Sequence, residues 1–232
     1  MTTPTLVLLH GALGSARQMA GLAALLKDDV PVHTWDFPGH GGAPVPDAGY
    51  SMADLVAGLE HWLDASFTQP VIVFGYSMGG YAATVLACRR PDLMHHVMTL
   101  GTKWSWSPDI AAREVRMLDP EVIREKVPAL ADMLADRHAP QDWTAIVRAT
   151  RHLLEGLGRD SLLSDSDLRE CAIPVDILWG SEDRMVSREE SERVAGILPH
   201  GQFHALAGQR HPFEQVDLHI LHDRLTKLAS IQ

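Results

Sequence analysis

The chain has 232 residues, 46% of them hydrophobic and 22% charged, enough to bury a two-sided core without a disulfide framework or a structural metal. A net charge of −10 and the lack of a basic stripe argue against nucleic acid as a partner; Arg89-Arg90 reads as a solvated helix end. Cys88 and Cys171 form no metal-ligand spacing, and the apolar run at 6–9 is too short for a signal peptide or a membrane span, so a cytoplasmic, soluble protein with no membrane partner is expected.

Along the chain, short apolar runs alternate with helical patterns. Strands are expected at 5–9, 32–35, 71–74, 97–100, 175–179 and 203–206. Their continuous Val, Ile and Leu content fits strands buried on both faces of a parallel sheet. Helices are expected between and after them, at 16–26, 51–65, 78–89, 188–198 and 213–228. This alternation predicts an α/β fold: one domain over 1–232 with a mostly parallel, doubly wound sheet of about six strands. The interval 104–170 breaks the rhythm. It shows helical periodicity only, with Asp119-Pro120 and Ala139-Pro140-Gln141 reading as helix starts. It is expected to be a helical cap inserted over the sheet. Val115, Leu118, Leu130, Met133, Leu134, Trp143, Ile146, Leu153 and Leu154 either line a substrate cavity there or pack the cap onto the sheet.

The strongest local signal is Gly75-Tyr76-Ser77-Met78-Gly79-Gly80, where a buried strand ends and an alanine-rich helix begins. A tight strand–turn–helix junction lifts its serine into an exposed, strained position, and the helix N-terminus adds a positive dipole end. Ser77 is therefore the candidate nucleophile. Serine needs a base, and the base needs an orienting acid. Asp183 follows the fifth strand and His211 the sixth, so both lie at the sheet edge that carries Ser77. Glu182 competes for the acid role. His204, His219 and His222 read as core or surface histidines, and no metal site is expected. An oxyanion needs two N–H donors. Met78 offers one, and Ala12, or alternatively Leu13, offers the other from the loop after the first strand. His10 is expected to brace that loop.

Five ordered motifs now stand in view: His10-Gly11-x-x-Gly14, Asp36-x-Pro38-Gly39-x-Gly41, Gly75-x-Ser77-x-Gly79, Gly180-x-x-Asp183-x-x-Val186 and the late His211. Together they resemble the α/β-hydrolase superfamily over the whole chain except the cap. The resemblance implies Ser77 as nucleophile, Asp183 as acid, His211 as base, and the backbones of Ala12 and Met78 as oxyanion hole. It also implies that 36–41 shapes a loop near the site without being catalytic. Two departures stand out. The His-Gly strand begins at about Thr5 rather than after two antiparallel strands, and Arg210, where the family usually has glycine, precedes the histidine. Arg210 either pairs with a carboxylate or reaches one on the substrate.

The implied activity is that of a serine hydrolase acting on a small carboxylic ester or thioester, without metal or organic cofactor. The His10–Ser15 and Gly75–Gly80 segments are also similar to the menaquinone-pathway lyases, which bind anionic substrates through arginines, and the cap carries Arg113, Arg116, Arg124, Arg137, Arg148 and Arg151 among its residues. A C–C bond hydrolase, or a non-catalytic ligand-binding protein on the same scaffold, completes the alternatives. At Lys103-Trp104-Ser105-Trp106, Lys103 would meet an anionic group, while the tryptophans either wall the pocket or anchor the cap. The sequence leaves the oligomeric state open.

Overall fold

The computed structural model describes residues 4–46 and 50–230. Six parallel strands form one sheet in the order β2-β1-β3-β4-β5-β6. They are β1 (Leu6–Leu9), β2 (Val32–Trp35), β3 (Val71–Tyr76), β4 (Met94–Leu100), β5 (Val175–Gly180) and β6 (Gly201–Leu206). Every expected strand is present. β3, β4 and β6 extend further than their apolar runs, because ladder pairing takes in Met94 and His96, with a register shift between them, and Gly201, and continues on to Tyr76.

The strands bury both faces, so alternate residues enter different cores. Val7, Leu9, Val71 and Val73 point to a layer built by α2 (Met52–Ser66), α3 (Met78–Arg89) and α9 (Arg188–Ile197). Leu6, Leu8, Ile72, Phe74, Met98 and Leu100 point the other way, toward α1 (Ala20–Leu26) and α10 (Leu218–Ala229). Full burial of each Leu or Val side chain contributes roughly 1.5–3 kcal/mol. α2 begins with a capping box, in which Ser51 and Asp54 satisfy each other's backbone N–H groups. The expected helix at 16–26 starts as a 3-10 turn over Ala16–Met19, and the one at 213–228 is broken between Phe213–Gln215 and the Asp217 N-cap of α10.

Five helices fill the interval between β4 and β5: α4 (Pro108–Glu114), α5 (Pro120–Lys126), α6 (Pro128–His138), α7 (Trp143–Arg159) and α8 (Asp165–Glu170). α5, α6 and α7 share a small core of Ile123, Ala131, Leu134 and Val147, with Leu13 packed against it. α8 instead packs on α3 and α9, and its Leu168 belongs to the sheet core. Among the described residues no helix is long and apolar enough to cross a membrane.

The strand order reverses between β1 and β3: the chain leaves β1 toward β2 on one side, while β3 to β6 run away on the other. The carboxyl ends of strands at such a reversal open a crevice, the usual ligand position in a doubly wound sheet.

Candidate active site

Ser77 occupies the turn between β3 and α3 with φ 51° and ψ −113°, the left-handed side of the map where side chains are rare. Such a backbone costs on the order of 1–3 kcal/mol and must be held. Two bonds hold it. The Ser77 N–H donates to the Leu100 carbonyl at 2.8 Å, and Thr102 Oγ1 donates to the Ser77 carbonyl at 3.1 Å. The flanking glycines are required by contact. A Cβ on Gly75 would lie 2.5 Å from the Gly80 backbone, and one on Gly79 would lie 2.6 Å from the His10 carbonyl oxygen.

Across the site, His211 Nδ1 lies 2.8 Å from Asp183 Oδ2. The other Asp183 oxygen accepts the Met185 and Val186 N–H groups at 2.7 and 3.0 Å, which fixes the carboxylate. Burial alone would push the Asp183 carboxyl up; the His211 bond and charge, with the two N–H donors, outweigh it and hold it below the ordinary carboxylate range. In a neutral imidazole, an ionised Asp183 places the proton on Nδ1 and leaves the lone pair on Nε2. Glu182, the competitor, points away and pairs with Arg210 at 2.9 Å.

A cavity of about 90 Å³ unites most of these groups, its walls including Ala12, Ser77, Met78 and His211. Ser77 and His211 share its wall without a direct hydrogen bond between their side chains among the described residues. Neither the Ala12 nor the Met78 backbone N–H has a protein acceptor among the described residues. The two lie at the ends of β1 and β3, on either side of the crevice. His10 braces the first loop: Nδ1 bonds the Gly11 carbonyl at 2.8 Å, and Nε2 accepts the Phe37 N–H at 3.2 Å. Complete burial lowers its pKa to about 4, so this ring is neutral and serves structure. Asp36 joins the brace by accepting the Ala16 N–H at 2.6 Å.

The remaining expected residues divide. Trp106 and Lys103 line the cavity, but Lys103 is already paired with Glu114 at 3.3 Å. Trp104 is buried against Tyr81 instead, where it anchors the interval to the sheet. Leu13 packs against α6 and does not face the cavity. Arg210 pairs with Glu182, the first of its two expected roles. Of the apolar residues named in the interval only Leu154 lines the cavity; Met133 is exposed, and most of the others are buried between helices. The six arginines named in the interval lie elsewhere, Arg137, Arg148 and Arg151 in ion pairs with carboxylates.

Several contributors carry no signal in the sequence. Met52, Tyr81 and Leu157 complete the wall through packing alone. Tyr76 donates to the His211 carbonyl at 2.9 Å and fixes the loop bearing that histidine; burial pushes its phenol up, so the donor keeps its proton. Gly101 has φ 61°, and a Cβ there would lie 3.2 Å from His211 Nδ1 and 3.3 Å from Asp183 Oδ2. Its bare backbone makes room for the pair. Met185 is readable only as a residue following Asp183, whereas Val186 closes the Gly180-x-x-Asp183-x-x-Val186 motif.

The profile of the alpha/beta hydrolase family matches residues 6–223. The chain is 30% identical over 236 residues to a pimeloyl-[acyl-carrier protein] methyl ester esterase of Xanthomonas oryzae pv. oryzae, covering 90% of this chain and 89% of that one. Among solved structures, NosK from Streptomyces actuosus superposes with a TM-score of 0.80 at 23% identity, covering 97% of each chain. MenH from S. aureus superposes with a TM-score of 0.79 at 20% identity, covering 99% of this chain and 94% of that one. At those identities the two structures speak for the fold.

Proposed function

The chain belongs to the alpha/beta hydrolase family, and on that footing we propose that it is a serine hydrolase cleaving a small carboxylic ester or thioester through an acyl-enzyme on Ser77. One observation carries the reading: Ser77, His211, Ala12 and Met78 line one cavity, the Ala12 and Met78 N–H groups have no protein acceptor among the described residues, and Asp183 is bonded behind the histidine. His211 Nε2 takes the proton as Ser77 Oγ attacks the carbonyl carbon, and the Ala12 and Met78 N–H groups receive the oxyanion. The carbon–oxygen or carbon–sulfur bond then breaks, and His211 protonates the departing alcohol or thiol. Water, deprotonated by the same imidazole, releases the acid and restores Ser77.

The cavity wall favours a neutral substrate. It is largely apolar, and Lys103, the one lysine or arginine in it among the described residues, is paired with Glu114. With the arginines of the interval elsewhere, the anionic substrates of a lyase find no counter-charge in it among the described residues. The esterase relative supports ester chemistry by its name. The helices α4 to α7 act as the cap, supplying Glu114, Leu154 and Leu157 to the wall, and the segment leading into α4 adds Trp106. A panel of p-nitrophenyl esters of graded acyl length tests this: turnover should be highest for short chains and absent in Ser77→Ala. Ligand binding without turnover on any ester, unchanged in Ser77→Ala, would replace the enzyme by a binding protein.

A further inference from the structure

Leu13 stands at φ 57°, a left-handed conformation in a residue with a bulky side chain. A backbone of that kind persists only where its surroundings over-determine it. Here the constraint comes from the last turn of α6, more than a hundred residues away in sequence. Arg137 Nη1 donates to the Leu13 carbonyl at 3.0 Å, and His138 Nε2 lies 3.2 Å from the same oxygen. His138 must be the donor in its bond, because its Nδ1 accepts the Gly41 N–H at 3.3 Å. Arg137 is anchored in turn: Glu214 accepts from its Nη2 at 3.0 Å and from Gln18 Nε2 at 2.9 Å. The arginine side chain is 11% exposed, too enclosed to be a wandering surface cation. The turn it grips is closed at the other end by the Gly14 N–H donating to the Gly11 carbonyl at 3.0 Å, with Ala12 in between.

We propose that Arg137 and His138 are positioning residues for the oxyanion hole: by holding the Leu13 carbonyl from the cap, they aim the Ala12 N–H at the developing negative charge. Neither side chain lines the cavity, so neither touches substrate. The cap thereby takes part in transition-state stabilisation as well as roofing the cavity. This rests on the Ser77 mechanism proposed above.

The test compares Arg137→Met, Arg137→Lys and Glu214→Gln in the full chain, with Ser77→Ala alongside, on p-nitrophenyl acetate. Inhibition by an alkyl boronic acid, which mimics the tetrahedral adduct, is measured on the same variants. Misaiming one donor should lower kcat of Arg137→Met about 10- to 100-fold, leave KM within about twofold, and weaken the boronic acid by a factor similar to the kcat loss. Arg137→Lys, which still offers an N–H to the carbonyl, should recover part of the loss. Glu214→Gln, which slackens the anchor, should fall between. Should Arg137→Met fail to fold, the other two variants carry the test: reduced kcat at constant KM supports the proposal. Wild-type kcat in the folded variants, or a loss confined to KM, overturns it. If Ser77→Ala is inactive while the Arg137 variants keep wild-type kcat, only the positioning role falls; if Ser77→Ala still turns over ester, both fall.

Discussion

Asp183 shows how one side chain sets a proton's position. One oxygen is locked by two backbone N–H groups, so the other faces His211 in a fixed direction. Asp183→Asn keeps that shape but presents an N–H to Nδ1, which moves the imidazole proton to Nε2 and removes the base. On p-nitrophenyl acetate kcat should fall on the order of 10⁴-fold with fluorescence and near-UV dichroism unchanged; a fall of less than about tenfold would remove Asp183 from the mechanism. At this scale the sequence was most informative where a residue type sits at a strand end. Ser77, Asp183 and His211 each follow a strand, and parallel strands share one carboxyl edge. Gly101 and Tyr76 were not legible because their contribution lies in contacts to His211 formed only when β4, β3 and the last loop meet.

Between residue and fold, the strand–helix alternation was nearly complete in the sequence, since apolar runs and glycine stops act locally. β3 and α3 start where the pattern placed them, and the helix at 16–26 differs only in its tight first turn. The 104–170 interval was legible as helical and little further. Helical periodicity marks a buried face without saying what covers it, so residues that pack and residues that line a pocket look alike. α7 illustrates this: Leu153 is buried in the core, while Leu154 and Leu157 reach the cavity. Leu154→Ala should deepen the cavity and move the preferred p-nitrophenyl ester toward longer chains by one or two methylenes. Each added methylene, at about 0.8 kcal/mol, is a gain of roughly fourfold in kcat/KM over the parent. An unchanged chain-length profile would mean that the acyl group lies elsewhere.

For the molecule as a whole, the same neutral histidines that brace the site set its acid limit. Burial lowers the His10 pKa to about 4 and moves His40 and His138 in the same direction. The unfolded chain takes up protons near pH 6.5, before the folded one does, so stability is full above that pH and declines as pH falls toward 4. His10 alone accounts for on the order of 2 kcal/mol by pH 5. His222, raised by Asp29 and Asp223, has the opposite sign but lies at the surface, where solvent screens it. Urea midpoints should therefore drop between pH 7.5 and pH 5; a flat or rising midpoint would contradict a neutral, buried His10. The central claim concerns Ser77, and its most direct measurement is the site of covalent modification by a fluorophosphonate, mapped by mass spectrometry on the folded protein. The account predicts one adduct, on Ser77, absent in Ser77→Ala and slowed in Asp183→Asn. Folded protein that hydrolyses esters yet carries no adduct on Ser77 would contradict it.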